Sequence, residues 1–178
     1  MPKDYNSFSD VATGDVYSAA SHNLILENLN NYRVPPSCEV YLSADETSYS
    51  ALAAIPWDAS THDTDSMWSA GDPTKITIQT TGLYIVKFYC YLTCAATLAS
   101  MNIEWSLNGS YDAGIGSFAG RSGTLSFGLI SDVFALTAGD YITASANPSG
   151  GSAYVINGNA SPSFDRSRFS ATWIGQVS

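Results

Sequence analysis

The side chains in this sequence that could do chemistry are few and scattered. Its histidines are His22 and His62, and its cysteines are Cys38, Cys90 and Cys94. A zinc centre needs about four convergent nitrogen or sulfur ligands. His22 falls in a helical stretch and His62 in a loop. Cys90 and Cys94 share one face of a strand, ~13 Å apart at ~3.3 Å per residue, too far for one ion or for a disulfide. The thiols therefore read most simply as buried and free, with a bridge from Cys38 across the sheet to Cys90 or Cys94 as the alternative. The stretch DASTHDTD gathers Asp58, Asp63 and Asp65, oxygen ligands of the kind calcium takes. It lacks the EF-hand spacing and glycine, so a solvated acidic loop is expected. No G-x-S-x-G elbow is present, and the Gly-rich segment Gly114 to Gly123 follows no strand-to-helix turn that could cradle a phosphate. A glycosidase-like carboxylate pair would have to be assembled from Glu104, Asp112 or Asp132, and nothing in their spacing brings them together. No catalytic residue, metal or cofactor is expected, and the chain reads as non-enzymatic.

Charge narrows the partners. Seven basic residues against 16 acidic ones give a net charge of −9 over 178 residues, with Lys3, Lys75 and Lys87 the only lysines. Phosphate backbones are bound by clustered Lys and Arg, so neither nucleic acid nor an anionic membrane is an expected partner. No run approaches the ~20 apolar residues of a membrane span, and MPKDYNSFSD lacks the apolar core of a secretory signal. Synthesis in a cytoplasm without export is the expectation. Charged residues make up 13% and aromatic residues 12% of the chain, so solubility rests largely on hydroxyls and amides. That balance suits a β-rich protein that is particle-bound or extracellular. The length fits one large domain, or a domain with an appendage, and is sufficient to bury a core without disulfides.

Two periods divide the chain. In residues 1–36, Leu24, Ile25, Leu29 and Tyr32 recur at helical spacing from Ser18 to about Arg33. Ser18 can cap the start, and Pro35-Pro36 stops the run. This short helix either packs on its own domain or docks on another protein. From residue 37 to 178 the period becomes two. Glu39-Val-Tyr-Leu42, Lys75-Ile-Thr-Ile-Gln79, Asn102 to Leu107 and Phe169 to Trp173 alternate as half-buried strands. Turns are expected at Asn108-Gly109-Ser110, Gly114 to Gly123, Ala138-Gly139-Asp140 and Asn147 to Ser152. Leu125, Phe127 and Leu129 sit on one parity and Ile130, Phe134 and Leu136 on the other, which predicts a bulge or turn near Ser131-Asp132. About eight short strands with no helix between them imply an all-β antiparallel sandwich, of which the jelly roll is one form.

The stretch GLYIVKFYCYLTC, Gly82 to Cys94, departs from the half-buried pattern. Tyr84, Val86, Phe88, Cys90, Leu92 and Cys94 form one apolar face. The other carries Leu83, Ile85, Lys87, Tyr89, Tyr91 and Thr93, too apolar for a face left in water. This second face needs a partner.

Three pieces in order, TTGLYIVKFYCYL, ALTAGDYITASA and SRFSATWIGQ, resemble tumour-necrosis-factor-like jelly rolls, including the complement globular heads. Gly82 and Tyr84 match the strand-opening Gly-x-Tyr. Leu136, Gly139 and Asp140 match the Leu-x-x-Gly-Asp turn, and Phe169 the apolar final strand, although Ser170-Ala171 stands where a glycine often follows. The resemblance spans about residues 38 to 177 and implies a compact homotrimer packed through aromatic and aliphatic side chains. On that reading Ile85, Tyr89 and Tyr91 meet sister subunits around a threefold axis, with Lys87 near the rim. The N-terminal SDVATGDVYSAASHNLILENLNNY is similar to opening segments of tailed-bacteriophage structural proteins. It implies a virion-anchoring arm that uses Val11, Val16, Leu24, Ile25, Leu29 and Tyr32 against the major capsid protein or another virion protein. The expected protein is a capsid decoration or fibre-like component at the virion surface. The alternative is a receptor-binding or adhesin head that recognises a host surface glycan or protein. It would use the loops Gly114 to Gly123 and Asn147 to Ser163, with Tyr111, Phe118, Arg121 and Tyr154 as contact residues.

Overall fold

The structure, a computed structural model, describes residues 18–49, 52–94, 100–118, 125–149, 154–158 and 166–177. Helix α1, Ala19–Arg33, starts where the sequence places it. The Ser18 hydroxyl accepts the Ser21 N–H at 3.1 Å, satisfying one of the donors a helix start leaves open. After Pro35-Pro36 every helix or strand among the described residues is a strand: β1 Ser37–Tyr41, β2 Glu46–Tyr49, β3 Ala53–Ala54, β4 Ala59–Asp63, β5 Lys75–Thr77 and β6 Gly82–Cys94 come first. β7 Ser100–Leu107, β8 Ser110–Phe118, β9 Leu125–Leu136, β10 Tyr141–Ser149, β11 Tyr154–Ile156 and β12 Arg168–Gly175 follow.

These strands form two antiparallel sheets. The first runs β2-β11-β6-β12-β1-β4 with β9 on the other side of β6, and the second runs β3-β10-β7-β8 with β5 beside β10. Long, non-sequential pairings of this kind make the all-β jelly roll that the sequence predicts. The core lies between the sheets. From β6 it takes Tyr84, Val86, Phe88, Cys90 and Leu92, all fully buried, as the period of two requires. Trp57, Phe88 and Phe169 pack ring to ring at about 6 Å, a separation at which aromatic pairs attract. From the second sheet, Ile103, Trp105, Ile142, Ala144 and Ala146 close the layer, and the Trp105 ring meets Phe134 edge-on at 4.5 Å.

The turns explain the register. Asn108 and Gly109 take φ of 52° and 81°, the left-handed pair that a tight hairpin between β7 and β8 needs. Gly139 has φ 96°. Beside it the Asp140 carboxylate accepts the Thr137 N–H at 2.7 Å and the Asn108 side-chain amide at 2.8 Å, which ties two turns together.

Four local expectations are corrected. No bulge interrupts β9 at Ser131-Asp132: it pairs with β6 residue by residue from Leu136↔Gly82 to Leu125↔Thr93. The mixed parity arises because both faces of β9 are apolar. Leu136 turns inward, whereas Leu129 and Val133 point outward at 58% and 50% exposure. Gly114 to Phe118 is strand β8, not loop, and Gly114 and Gly116 pair opposite Trp105 and Ile103. A residue without a side chain fits beside a bulky neighbour there. Asn147, Pro148 and Ser149 continue β10, paired to Asn102, Met101 and Ser100. Pro148 is tolerated because it lies beyond the reach of β3, which stops at Ala146↔Ala53. The acidic stretch at 58–65 is not a solvated loop. Asp63 accepts the N–H groups of Met67 and Trp68 at 2.9 and 3.0 Å. Asp58 accepts from Ser43, and the buried Asp65 accepts the Thr80 hydroxyl at 2.8 Å.

Candidate functional site

The outer face of the first sheet is where the sequence asks for a partner. Register lines up three rows across β1, β12, β6 and β9: Ser37–Thr172–Ile85–Val133, Glu39–Ser170–Lys87–Ser131 and Tyr41–Arg168–Tyr89–Leu129. The face is thus divided. Its β6/β9 half carries Ile85, Val133, Tyr89 and Leu129, with Tyr91 beyond them, and its β1/β12 half is polar. The rings of Tyr89 and Tyr91 lean on one another at 4.9 Å, and the Tyr91 backbone is held by the Ser167 hydroxyl at 3.0 Å. Glu39, Lys87, Tyr89, Leu129, Arg168 and Ser170 line a shallow cavity of about 310 Å³. The Arg166 guanidinium lies 3.5 Å over the Tyr41 ring, a cation–π placement that steadies both groups. Lys87 belongs to the middle row and not to an end of the face. Exposed apolar side chains scattered singly need no explanation, but the pairs Ile85–Val133 and Tyr89–Leu129, clustered on either side of Lys87 and beside a cavity, mark a candidate interaction surface.

The anchoring residues are seen only in part. Val11 and Val16 lie outside the described residues, as does the side chain of Leu24. Ile25 is half-buried, whereas Leu29 and Tyr32 are 55% and 63% exposed. The Tyr32 ring rests edge-on against Trp173 at 5.7 Å, and Trp173 also donates its backbone N–H to the Pro36 carbonyl. The base of the arm is therefore tied to the end of β12, while Leu26 and Leu29 remain exposed.

The proposed ligand-contact residues do not share a loop. Tyr111 and Phe118 fall in β8 and Tyr154 in β11, and Arg121 lies outside the described residues. Of the carboxylates considered for catalysis, Asp132 is exposed on the first sheet, apart from Glu104 on the second, whereas Asp112 falls in β8 beside the strand of Glu104, its side chain outside the described residues. No group of three metal-ligating side chains forms among the described residues.

Two buried polar features were not foreseen. Glu104 alternates with Ile103 and Trp105, which predicts an exposed carboxylate. It is only 8% exposed, and Oε1 lacks a hydrogen-bond partner, as does the hydroxyl of Ser145 opposite. Burial pushes its pKa up. Ser106 and Thr143 beside them share a hydrogen bond of 2.6 Å. Cys38 and Cys90 are free and buried. Burial pushes the Cys90 thiol up to about 12, against a smaller opposing effect of its hydrogen bond to Ser167. The Cys38 thiol is also raised, by burial first and then by Asp63 and Glu39.

No protein-family profile matches the chain, and no curated protein matches it by sequence. Solved structures do. Murine APRIL superposes with a TM-score of 0.59 at 13% identity, covering 78% of this chain and 98% of that one. The globular domain of zebrafish complement 1qA gives 0.53 at 12%, covering 80% and 99%. Eiger TNF from S. frugiperda gives 0.56 at 10%, covering 80% and 96%. At these identities the likeness establishes the fold, a jelly roll of the tumour-necrosis-factor and complement-head kind.

Proposed function

We propose that this protein is a non-enzymatic, homotrimeric structural component of a bacteriophage virion. It would act as a capsid decoration or fibre-like protein, with the jelly roll outward and the N-terminal arm on the particle. The observation that carries the trimeric part is the apolar half-face of Ile85, Tyr89, Leu129 and Val133 on β6 and β9, on a sheet whose opposite side already fills the core. Burying that second face stabilises assembly at ~25 cal/mol per Å² of apolar surface. The threefold arrangement follows from the family resemblance of Gly82, Tyr84, Leu136, Gly139, Asp140 and Phe169, and closed rings of identical copies are the usual solution for such contacts. The virion assignment draws on the resemblance of the N-terminal segment to phage structural proteins. It is supported by a helix that leaves Leu26 and Leu29 exposed. Three such arms on one trimer multiply a modest contact through effective concentration.

Deletion of residues 1–34 tests the anchor. The truncated protein should fold and trimerise yet fail to incorporate into particles assembled without the full-length protein. Incorporation at the full-length level would remove the anchor from the account.

A further inference from the structure

Lys87 is a physical problem for a face that closes against other copies. Its row neighbours are Ser170 and Ser131, neither of them anionic. An ammonium taken out of water needs a carboxylate, because an uncompensated buried charge is strongly destabilising. Arg168 lies diagonally beside it and adds positive charge. Three of the chain's seven basic residues, Lys87, Arg166 and Arg168, are thus gathered on this side of a protein with net charge −9.

The carboxylate that lines the same cavity is Glu39. It belongs to the same row, two strands away across Ser170, or ~10 Å at the usual strand spacing. The Thr61 hydroxyl donates to Glu39 Oε1 at 3.0 Å and holds the carboxylate toward the β4 side. In a cyclic assembly, residues on the axis meet their own copies and residues off the axis meet different ones. Lysines meeting on the axis would repel. A lysine off the axis would instead meet a different residue of the next copy.

We propose that in the assembled protein Lys87 Nζ of one copy donates to the Glu39 carboxylate of the next, an ionic latch repeated around the ring. This deepens the trimeric reading above and rests on it. Apolar contacts between rows of similar side chains slide easily. A charge-assisted hydrogen bond at one position fixes the register and rejects partners that lack the complementary group.

The test uses two full-length chains, Lys87→Glu and Glu39→Lys, purified separately and then mixed under exchange conditions. Native mass spectrometry reads the composition, and circular dichroism confirms the fold. Each variant alone should trimerise at least tenfold more weakly than the wild type, because its ring holds only like charges at the latch. In the mixture, mixed trimers should exceed the proportions of random assembly, since two of their three contacts become complementary. The chain carrying both substitutions should recover the wild-type trimer. Recovery in the double variant without enrichment of mixed trimers would place the pair within one chain and overturn the latch. Single variants that trimerise like the wild type would overturn it as well. A wild-type protein at the mass of one chain would instead overturn the trimeric reading itself, and the latch with it.

Discussion

Replacing Tyr89 and Tyr91 together with Asp probes the outer face of β6 most severely. Both side chains project away from the core and are half-buried in the single chain. A tyrosine buries ~150–250 Å² when fully covered, so assembly would cover roughly half of that again, or about 80–100 Å². At ~25 cal/mol per Å² this is about 2 kcal/mol per ring, in the range of interface hot spots. Two rings give about 4 kcal/mol for each subunit contact, on the order of a thousandfold in affinity. The two introduced carboxylates add desolvation on top. Loss of the ring–ring contact at 4.9 Å costs the single chain only about 1 kcal/mol. Sedimentation velocity over a range of concentrations should therefore show a folded protein at the mass of one chain, with a wild-type sheet signal in circular dichroism. A trimer of undiminished strength with the fold intact would refute the assignment of this face.

Other consequences of the packing can be checked on the same material. Burial holds Glu104 above the ordinary carboxyl range, so the folded state binds the proton more readily than the unfolded one. Its contribution is therefore fully favourable below the unfolded pKa and is lost as pH rises through the folded pKa. Glu104→Gln should accordingly raise Tm at neutral pH relative to wild type and flatten that decline, and a lower Tm at neutral pH would contradict this. In Gly82→Ala the new Cβ would overlap the indole of Trp173, which is 3% exposed, and meet the Gly175 carbonyl. Urea titration should show a loss of about 1–3 kcal/mol, and an unchanged midpoint would mean that the β12 end is loosely packed. Cys38 and Cys90 should resist an alkylating reagent in the native protein and label fully after unfolding, as read by peptide mapping, because a buried thiol held protonated is a poor nucleophile. Native labelling at either position would show that the core opens there.

How much of this was legible depended on whether a residue's role was local. The parity of Tyr84 to Leu92 gave the core face of β6 directly, and Gly139-Asp140 announced a positive-φ turn, because both follow from backbone geometry at short range. Ser18 as a helix cap was equally local. The glycines of β8 were misread because glycine signals a loop in isolation; only the presence of Trp105 and Ile103 opposite makes it a strand residue. Asp63 looked solvated for a similar reason, since its acceptors' partners, the Met67 and Trp68 N–H groups, depend on how the chain turns back after β4. The apparent parity break in β9 was a second apolar face seen without its neighbour. Joined with β6, it becomes the strongest indication of a docking surface. The fold itself was readable through three short motifs spread over the jelly roll, although overall identity to the solved structures of that fold is only 10 to 13%. The pairing of Glu39 with Lys87 in one row could not be read from residues so distant in the chain; it requires the register of three strands.

The central claim is that the outer face of the first sheet closes against two other copies. The most direct measurement is the mass of the intact, full-length protein in solution, taken by sedimentation equilibrium at micromolar and lower concentrations. The account predicts a species at three times the 18.9 kDa chain mass that persists on dilution. A single-chain mass at every concentration would contradict it and leave Ile85, Tyr89, Leu129 and Val133 facing a different partner.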